Sequence, residues 1–348
     1  MRKLLLCGVA FAGTLAGASG MALAQGKSGV QVVAHEGDRR VDVTIDGRPF
    51  TSYVWPTSLK KPVLYPLIAA DGVEVTRGYP LAPRAGERVD HPHHAGLWFN
   101  YGNVDGFDYW NNSDAIKPED RVKMGTITHE KVVSTKSGAD RGELVVESLW
   151  VNGKGKPSLK STTKYVFTKQ GDQRGIDIDT TLTALDKIVF HDDKEGVLGI
   201  RVAHFLESPT EKGGIFNDAN GKPTKVEAAD TAGATGVYLT SEGKESDAAW
   251  STRGRWCKLT GTSADGHVET IAILDQPKNP GYPTYWHARG YGLFAANPLG
   301  AHIFDPKATQ FDYTLEKGKS ATFRYRVLLM SHAAGVDELN KSADAFGR

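Results

Sequence analysis

The residues best suited to chemistry lie in one short run, Asp90 to Trp110, which reads DHPHHAGLWFNYGNVDGFDYW. Imidazole groups titrate near neutral pH and bind metals, and indole rings can stack on a substrate. A run this rich in histidine, acid, tryptophan and glycine is typical of a functional loop and not of a core. It supplies the candidate catalytic groups His91, His93, His94 and Asp108, and the candidate substrate contacts Trp98, Asp105 and Trp110.

The spacing of the histidines also leaves a metal centre open as an alternative. In an extended backbone His91 and His93 point to one face and His94 to the other, and two imidazoles with a carboxylate can hold a divalent metal. Candidates for the third ligand are Asp105, Asp108, His204 and Glu207. A cupin site would require a glutamate four or five residues after His93, where this sequence has Leu97 and Trp98. The sequence therefore requires no cofactor, although a divalent metal at His91 and His93 is compatible with it.

A second cluster of candidate residues spans Tyr285 to Gly292 and continues to Asn297. Trp286 offers a flat face for a sugar ring, His287 a proton-transfer group, and Arg289 a fixed cation for a carboxylate or an oxyanion. We expect this cluster to form the opposite wall of the same cleft, with His287 as a catalytic group and Trp286, Arg289 and Asn297 as substrate contacts. The alternative is that Trp286 belongs to the core and Arg289 to a surface ion pair.

The segment from Arg201 to Glu207 is a weaker candidate. If it continues as a strand, His204 and Glu207 point to opposite faces, so only one of them can reach the cleft. We expect His204 to contact the substrate, and Arg201 and Glu207 to form a charged pair on the outer face.

Short alternating segments bounded by turn residues must position these groups. Residues 41–45 alternate apolar and polar side chains, and Asp46-Gly47 follows as a tight turn, which predicts a hairpin. Further strands are predicted over 50–55, 142–151, 161–168, 174–185, 196–206, 236–240, 255–261, 267–274, 291–295, 302–304 and 321–330, and one helix over 336–346. This pattern predicts an all-β fold, a large antiparallel β-sandwich with few short helices that forms one domain over residues 25–348.

Charge and hydropathy narrow the class of protein. Residues 1–24 have the basic start, apolar run and small-residue end of a secretory signal peptide. We therefore expect a periplasmic or extracellular protein, and no later apolar run approaches the roughly 18 residues that a membrane span needs. Two of the 42 basic residues lie in the signal, so the remainder carries 40 basic against 41 acidic residues. A chain this close to neutral, without a basic block, gives no reason to expect a nucleic-acid partner.

The remaining composition excludes several chemistries. Without Cys7 of the signal only Cys257 is left, which cannot form an intramolecular disulfide, and we expect a buried, inert thiol. The sequence has no P-loop, no strand-linked Gly-x-Gly-x-x-Gly, no His-Glu-x-x-His and no Gly-x-Ser-x-Gly motif. Nucleotide-binding, zincin and serine-hydrolase functions therefore find no support.

Three motifs together resemble the signature of a bacterial family of exported proteins commonly labelled "methane oxygenase PmoA". They are Val75-Thr76-Arg77, the run from Asp90 to Trp110, and Trp286-His287-x-Arg289-x-Tyr291-Gly292 continuing to Asn297-Pro298. The resemblance covers nearly the whole chain after the signal. It implies a β-sandwich similar to the supersandwich of galactose mutarotase and related carbohydrate enzymes, in which histidines and an acid line an open cleft. It assigns no catalytic role to any position.

These observations favour a secreted carbohydrate-active enzyme that acts on a glycosidic bond or a sugar ring, as a glycoside hydrolase, a lyase or an epimerase. The expected partner is a small-molecule or oligosaccharide substrate. A metal-dependent enzyme, including an oxygenase, that uses His91 and His93 with a carboxylate is the first alternative. A carbohydrate-binding protein without catalytic activity is the second.

Overall fold

The structure, a computed structural model, describes residues 28–210, 212–227 and 233–348. The predicted signal peptide lies outside these residues. The strands are β1 (Val30–His35), β2 (Arg40–Ile45), β3 (Arg48–Val54), β4 (Val63–Leu64), β5 (Leu97–Tyr101), β6 (Thr126–Lys136), β7 (Arg141–Val151), β8 (Pro157–Gln170), β9 (Gln173–Ala184), β10 (Ile188–Phe190), β11 (Gly196–Arg201), β12 (Gly214–Asn217), β13 (Pro223–Val226), β14 (Val237–Thr240), β15 (Trp256–Thr262), β16 (Val268–Asp275), β17 (Tyr285–Arg289), β18 (Leu293–Asn297), β19 (Tyr313–Leu315) and β20 (Ser320–Met330). The α-helices are α1 (Ala301–Phe304) and α2 (Val336–Gly347).

Two eight-stranded antiparallel sheets form the body of the molecule. The first sheet has the order β1-β2-β3-β4-β5-β11-β18-β17, and the second has the order β14-β15-β16-β20-β9-β8-β7-β6. The short pairs β10-β19 and β12-β13 form two further small sheets. The all-β sandwich prediction is therefore confirmed. Within the described ranges no helix is both long and apolar enough to cross a membrane.

The main hydrophobic core lies between the two large sheets. In the second sheet alternate residues such as Ile176 and Ile178 of β9 are fully buried in it, and Phe294 of β18 joins them from the first sheet. This alternation is the period of two that places every second side chain on one face. Helix α2 covers the other face of the second sheet, where Leu339 packs with Trp256 in a separate cluster.

The outer face of the first sheet is also covered, and this face carries the candidate site. Strands β11 and β18 are buried along their whole length. Leu97 and Phe294 belong to the main core, whereas Trp98 and Ala295, each one residue further along its strand, belong to an outer cluster that includes Trp110. Strands buried on both faces fix their register strongly. The loops that cover this outer face therefore pack against a rigid layer of side chains. We call this layer, which includes Trp98, Trp110 and Ala295, the outer floor.

Most predicted elements are present, but three of them differ from the prediction, and β5, β6 and β17 are strands of the large sheets that the sequence did not predict. The hairpin at Asp46-Gly47 is confirmed, with positive φ angles of 50° and 77° at the two turn residues, and the predicted C-terminal helix is α2. The strand predicted over 302–304 is wrong, because these residues form α1. The strand predicted over 196–206 ends at Arg201, and a 3-10 turn follows at His204–Leu206. The strand predicted to begin at residue 291 begins at Leu293.

Gly199 of β11 provides a test of the outer floor. A Cβ atom at this position would lie 2.6 Å from the ring of Trp98 and 3.0 Å from that of Trp110. Neither ring can retreat easily because both are buried. We expect Gly199→Ala to lower the free energy of unfolding by about 1–3 kcal/mol, the usual cost of overpacking, and to change tryptophan fluorescence.

Gly37 provides the matched control, because a Cβ atom there would meet nothing within 4 Å. We expect Gly37→Ala to leave stability and fluorescence nearly unchanged in the same chemical denaturation experiment. Equal stability of the Gly199→Ala variant and the parent protein would contradict a tightly packed outer floor.

Candidate functional site

The histidine segment is a turn held by two buried arginines. His91 has a positive φ of 41°, and the backbone N–H of His94 donates to the His91 carbonyl over 2.9 Å. The Arg77 guanidinium donates to the carbonyl oxygens of His91 and His94 over 3.1 and 3.0 Å. The extended backbone assumed for His91 and His93 is therefore wrong, because this turn sets the direction of both side chains.

Asp90 neutralises the two arginines. Its Oδ1 atom accepts hydrogen bonds from Arg77 and, over 2.7 Å, from Arg201, and both guanidinium groups are almost completely buried. Its Oδ2 atom lies 3.1 Å from Nδ1 of His91. Burial opposes ionisation of Asp90, but the hydrogen bond from His91 and the charges of Arg201 and Arg77 hold its pKa well below the usual range. Asp90 is therefore a carboxylate that joins the arginine pair to the first histidine.

Four aromatic rings are stacked in a column that crosses the site. The ring of His94 lies 5.2 Å from Trp98 and 4.9 Å from His91, and His91 lies 5.2 Å from Tyr291. The interplanar angles are 16°, 7° and 6°, so the rings are nearly parallel. The column runs from the buried floor at Trp98 to the surface, since the His91 side chain is 43% exposed.

His93 and His94 have environments that keep them neutral. Burial, together with the neighbouring charge of Lys61, lowers the pKa of His93 to about 2, and burial lowers that of His94 well below its ordinary value. The indole N–H of Trp110 donates to Nε2 of His94 over 3.1 Å. A neutral imidazole accepts at one nitrogen only, so protonation of His94 at Nε2 would break this bond. Neither buried histidine is suited to carry a proton to a substrate near neutral pH.

The histidines do not converge on a common metal position. Nε2 of His94 is engaged by Trp110 and Nδ1 of His91 faces Asp90, while Nε2 of His93 is buried with no hydrogen-bond partner in the part of the chain that the structure describes. Across those described residues no group of three or more His, Cys, Asp or Glu side chains is arranged to hold a metal ion. Asp105 and Asp108, two candidates for the third ligand, are used elsewhere. Asp105 accepts from the backbone N–H of Val189, and Asp108 accepts from the N–H groups of Trp110 and Asn111.

A cavity of about 560 Å³ opens beside the outer end of the ring column. It mixes aromatic rings with charged groups of both signs, and its lining includes Arg88, Asp90, Lys212, Asp247, Trp250, Arg289 and Tyr291. His91 lies at the edge of this cavity, because its neighbours Asp90 and Tyr291 both line it.

Arg289 lines this cavity with its guanidinium beside two rings. The guanidinium carbon is 4.6 Å from the ring centre of Trp250 and 5.8 Å from that of Tyr291. Cation–π contacts of this kind fix the plane of an arginine without using its N–H groups. Within the described residues, the Arg289 side chain makes no ion pair and no hydrogen bond. Arg289 is therefore an ordered cation whose donors have no partner among the described residues.

His287 of the second cluster reaches the same region through Trp250. Its ring lies 4.6 Å from that of Trp250, and its Nδ1 atom is 3.0 Å from the carbonyl oxygen of Lys194. Burial lowers the pKa of His287 to about 3, so Nδ1 donates to that carbonyl and Nε2 is an acceptor. Trp286 points the other way and is fully buried in the main core beside Phe294, because alternate residues of β17 face opposite sides.

The other predicted contacts have structural partners. Trp98 and Trp110 are buried in the outer floor and offer no open face for stacking. Asn297 donates to the carbonyl of Asp193 over 2.7 Å and accepts from the N–H of Leu299. Asp105 has a positive φ and bonds to the β10 strand. These residues shape the surroundings of the cavity and do not line it.

The predicted charged pair of Arg201 with Glu207, and the strand predicted to run through both residues, are wrong. Arg201 is fully buried and pairs with Asp90, whereas Glu207 accepts from Nε of Arg88 over 2.8 Å. Because the strand ends at Arg201, the 3-10 turn brings Nδ1 of His204 within 3.2 Å of the same Glu207 carboxylate. His204 is therefore a neighbour of the Arg88–Glu207 pair, and its contact with a substrate stays a prediction.

Several residues of the site were not assigned a role from the sequence. Arg88 and Trp250 lie in no pattern that marks them, and Asp90 stands out in the sequence only as one acid of the run. Arg77 and Tyr291 both lie in motifs that carry the family resemblance. That resemblance was the one signal in the sequence that pointed to these two residues. Their roles depend on contacts between distant positions, such as that of Arg201 with Asp90, 111 residues apart in the chain.

A larger groove of about 770 Å³ lies on another side of the histidine segment. Trp55 and His129 stack in it with ring centres 3.9 Å apart. Lys61 lines this groove and also contacts the histidine segment, because its ammonium group donates to the His93 carbonyl over 2.7 Å. Burial lowers the pKa of Lys61 to about 7. The smaller cavity is the better candidate site, because an exposed histidine, a free cation and two rings meet there.

Comparison with known proteins gives a family without an assigned activity. The profile of a family of unknown function (DUF6807) matches residues 40–344, and it does not carry the methane oxygenase label. No curated protein matches the chain.

Solved structures with a distantly similar fold include several carbohydrate enzymes. Galactose 1-epimerase from Lactobacillus acidophilus is 10% identical with a TM-score of 0.39, and the match covers 88% of this chain and 100% of that chain. A galactose mutarotase-like protein from Lactobacillus casei is 12% identical with a TM-score of 0.35, covering 86% of this chain and 100% of that one. The galactosidase domain of an α-galactosidase–sucrose kinase is 10% identical with a TM-score of 0.40, covering 86% of this chain. The present chain spans 42% of the length of that galactosidase chain.

Asp90 provides a test of the charge arrangement. Replacing it by asparagine leaves Arg77 and Arg201 buried without their counter-charge. Breaking a buried pair in this way costs about 3–5 kcal/mol, so we expect Asp90→Asn to lower the free energy of unfolding by that amount in urea denaturation.

Asp177 provides the control for this substitution. It forms a bidentate pair with Arg326 on the outer face of the second sheet, where both side chains are about one-quarter exposed. Pairs of this kind contribute up to about 1 kcal/mol, so Asp177→Asn should cost much less. Equal losses in the two variants would mean that Asp90 is not the charge on which the buried arginines depend.

Proposed function

The chain belongs to the family of unknown function whose profile matches residues 40–344, and we propose that it is an exported carbohydrate-active enzyme whose sugar binds in the cavity beside His91. The observation that carries the proposal is a cavity of about 560 Å³ lined by two aromatic rings and the Arg289 guanidinium, with the exposed His91 in contact with two of the lining residues, Asp90 and Tyr291. Aromatic rings bury the apolar faces of sugars, and a few fixed polar groups orient them.

His91 is the group best suited to proton transfer. Its side chain is 43% exposed, whereas His93 and His94 are buried. With Asp90 3.1 Å from Nδ1, the imidazole donates its Nδ1 proton to that carboxylate and keeps Nε2 as the basic atom. A carboxylate in this position holds the tautomer and stabilises the imidazolium that forms when the ring takes up a proton.

Trp250, Tyr291 and Arg289 would hold the substrate. Both rings line the cavity beside the guanidinium. Burial raises the pKa of Tyr291 to about 12, so its phenol stays protonated and can donate to a sugar oxygen. Arg289 offers parallel N–H donors to a carboxylate or to an oxygen that gains negative charge during reaction.

Hydrolysis, elimination and epimerisation share one requirement, a group that moves a proton at the sugar, and His91 meets it. If a sugar binds in this cavity and is not converted, the protein is a carbohydrate-binding protein without catalytic activity. The two differ only in whether the sugar changes chemically, so the deciding measurement is product detection.

The test is incubation of the mature protein with a panel of polysaccharides and oligosaccharides, followed by mass spectrometry of the products. We expect a substrate in the panel, and we expect His91→Ala to lower kcat by about 10²–10⁴-fold, the usual contribution of a general acid or base. Substrate affinity should change much less, because Trp250 and Arg289 remain.

His267 supplies the matched control. It is 45% exposed and pairs with Asp71 over 2.7 Å, so it repeats the histidine–aspartate arrangement away from the cavity. His267→Ala should leave kcat unchanged. Oligosaccharides that bind but are recovered intact would refute the proposed enzymatic activity. A fully active His91→Ala variant would refute the proposed role of His91 in proton transfer.

A further inference from the structure

We infer that the cavity selects an acidic sugar, one whose carboxylate or sulfate group lies against Arg289. This inference rests on the proposed function and names the class of its substrate. It follows from the balance of charge around the cavity and from the unused donors of Arg289.

The buried charges behind the cavity do not cancel. Arg77, Arg88 and Arg201 share two carboxylates, Asp90 and Glu207, and both acids are already engaged by these arginines. The neighbouring His93 and His94 stay neutral and contribute no charge. Burial, and after it the adjacent charge of Arg201, lower the pKa of Arg77 to about 9. Buried charges are costly unless they are paired.

The residues that line the cavity increase this excess of positive charge. Arg289 and Lys212 add two cations, whereas Asp247 adds one acid. The charged residues that line the cavity are the basic Arg88, Lys212 and Arg289 and the acidic Asp90 and Asp247. With Arg77, Arg201 and Glu207, which are buried behind the lining, five basic side chains stand against three acidic ones among the described residues. A cavity wall of one predominant sign concentrates ligands of the opposite sign. A neutral sugar would leave this field uncompensated.

Arg289 gives the anion a defined position. Its plane is set by Trp250 and Tyr291, and Asp90 cannot neutralise it because Arg77 and Arg201 occupy that carboxylate. A planar guanidinium with free donors matches the two oxygens of a carboxylate or a sulfate in a bidentate arrangement. The flanking rings can at the same time contact the sugar ring that carries the anion. This combination fits an acidic sugar better than a free inorganic anion, which would leave the rings unused.

The experiment measures binding of matched glycan pairs by isothermal titration calorimetry. One arm compares oligogalacturonate, glucuronoxylan and alginate oligosaccharides with their carboxyl-reduced forms. The other arm compares chondroitin sulfate oligosaccharides with their desulfated forms. We expect at least one acidic glycan to bind 10-fold or more tightly than its neutral or less charged partner. The arm in which this occurs tells whether the anion is a carboxylate or a sulfate.

Variants at Arg289 connect the preference to this site. Arg289→Gln should remove the preference for the acidic glycan, and Arg289→Lys, which keeps the charge but not the planar fork, should retain part of it. Arg253 is the matched control, because it is an exposed arginine over Tyr285, with its guanidinium carbon 5.0 Å from the ring centre, and it does not line the cavity. Arg253→Gln should bind as the parent protein does, and thermal unfolding of each variant checks that the fold is intact.

The possible failures are distinguishable. Equal affinity for an acidic glycan and its neutral partner, or a preference that survives in Arg289→Gln, overturns the acidic-sugar inference and leaves the proposed function standing. Binding of neutral glycans alone does the same. If no glycan of either kind binds, the proposed function fails together with the inference.

Discussion

Two arginine side chains, Arg77 and Arg201, are buried close together beneath the histidine turn, and the carboxylate of Asp90 is what makes their burial tolerable. The rest of the site depends on this triad. Arg77 donates to carbonyl oxygens of the turn, so the path of the backbone follows the position of its guanidinium. The second oxygen of Asp90 faces His91. A single carboxylate therefore balances charge, shapes the turn and orients the exposed histidine.

The first sheet supplies the rigid support for this arrangement. Its central strands are buried on both faces, and the outer face presents Trp98 directly below His94. Gly199 leaves the space into which the Trp98 ring fits. The ring column can then extend outward from a fixed base, through His94 and His91 to Tyr291. Side chains held by packing keep a site within the small tolerances that binding and proton transfer require.

The sequence predicted the fold better than it predicted the site. Period-two alternation and the Asp46-Gly47 turn are local signals, and they predicted the hairpin and most strands of both sheets. The strand assigned to residues 302–304 failed because a short apolar segment fits a helix equally well. The prediction of the site failed for different reasons. A positive φ at His91 is uncommon for a residue other than glycine, and a fully buried Arg201 is improbable until its partner is known. That partner is 111 residues away, so no local pattern could reveal it.

The three histidines of the run illustrate how environment divides identical side chains into different roles. His94 lies within the column with its Nε2 engaged by Trp110, and His93 is buried beside the charge of Lys61. Both are fixed, neutral parts of the structure. His91 alone combines an exposed ring with a carboxylate at Nδ1, and it borders the cavity that contains Arg289. Burial, and after it the neighbouring positive charges, disfavour protonation of His93 and His94. The buried arginines therefore act on the site in two ways, because they fix the Asp90 carboxylate that contacts His91 and their charge disfavours protonation of the two buried histidines.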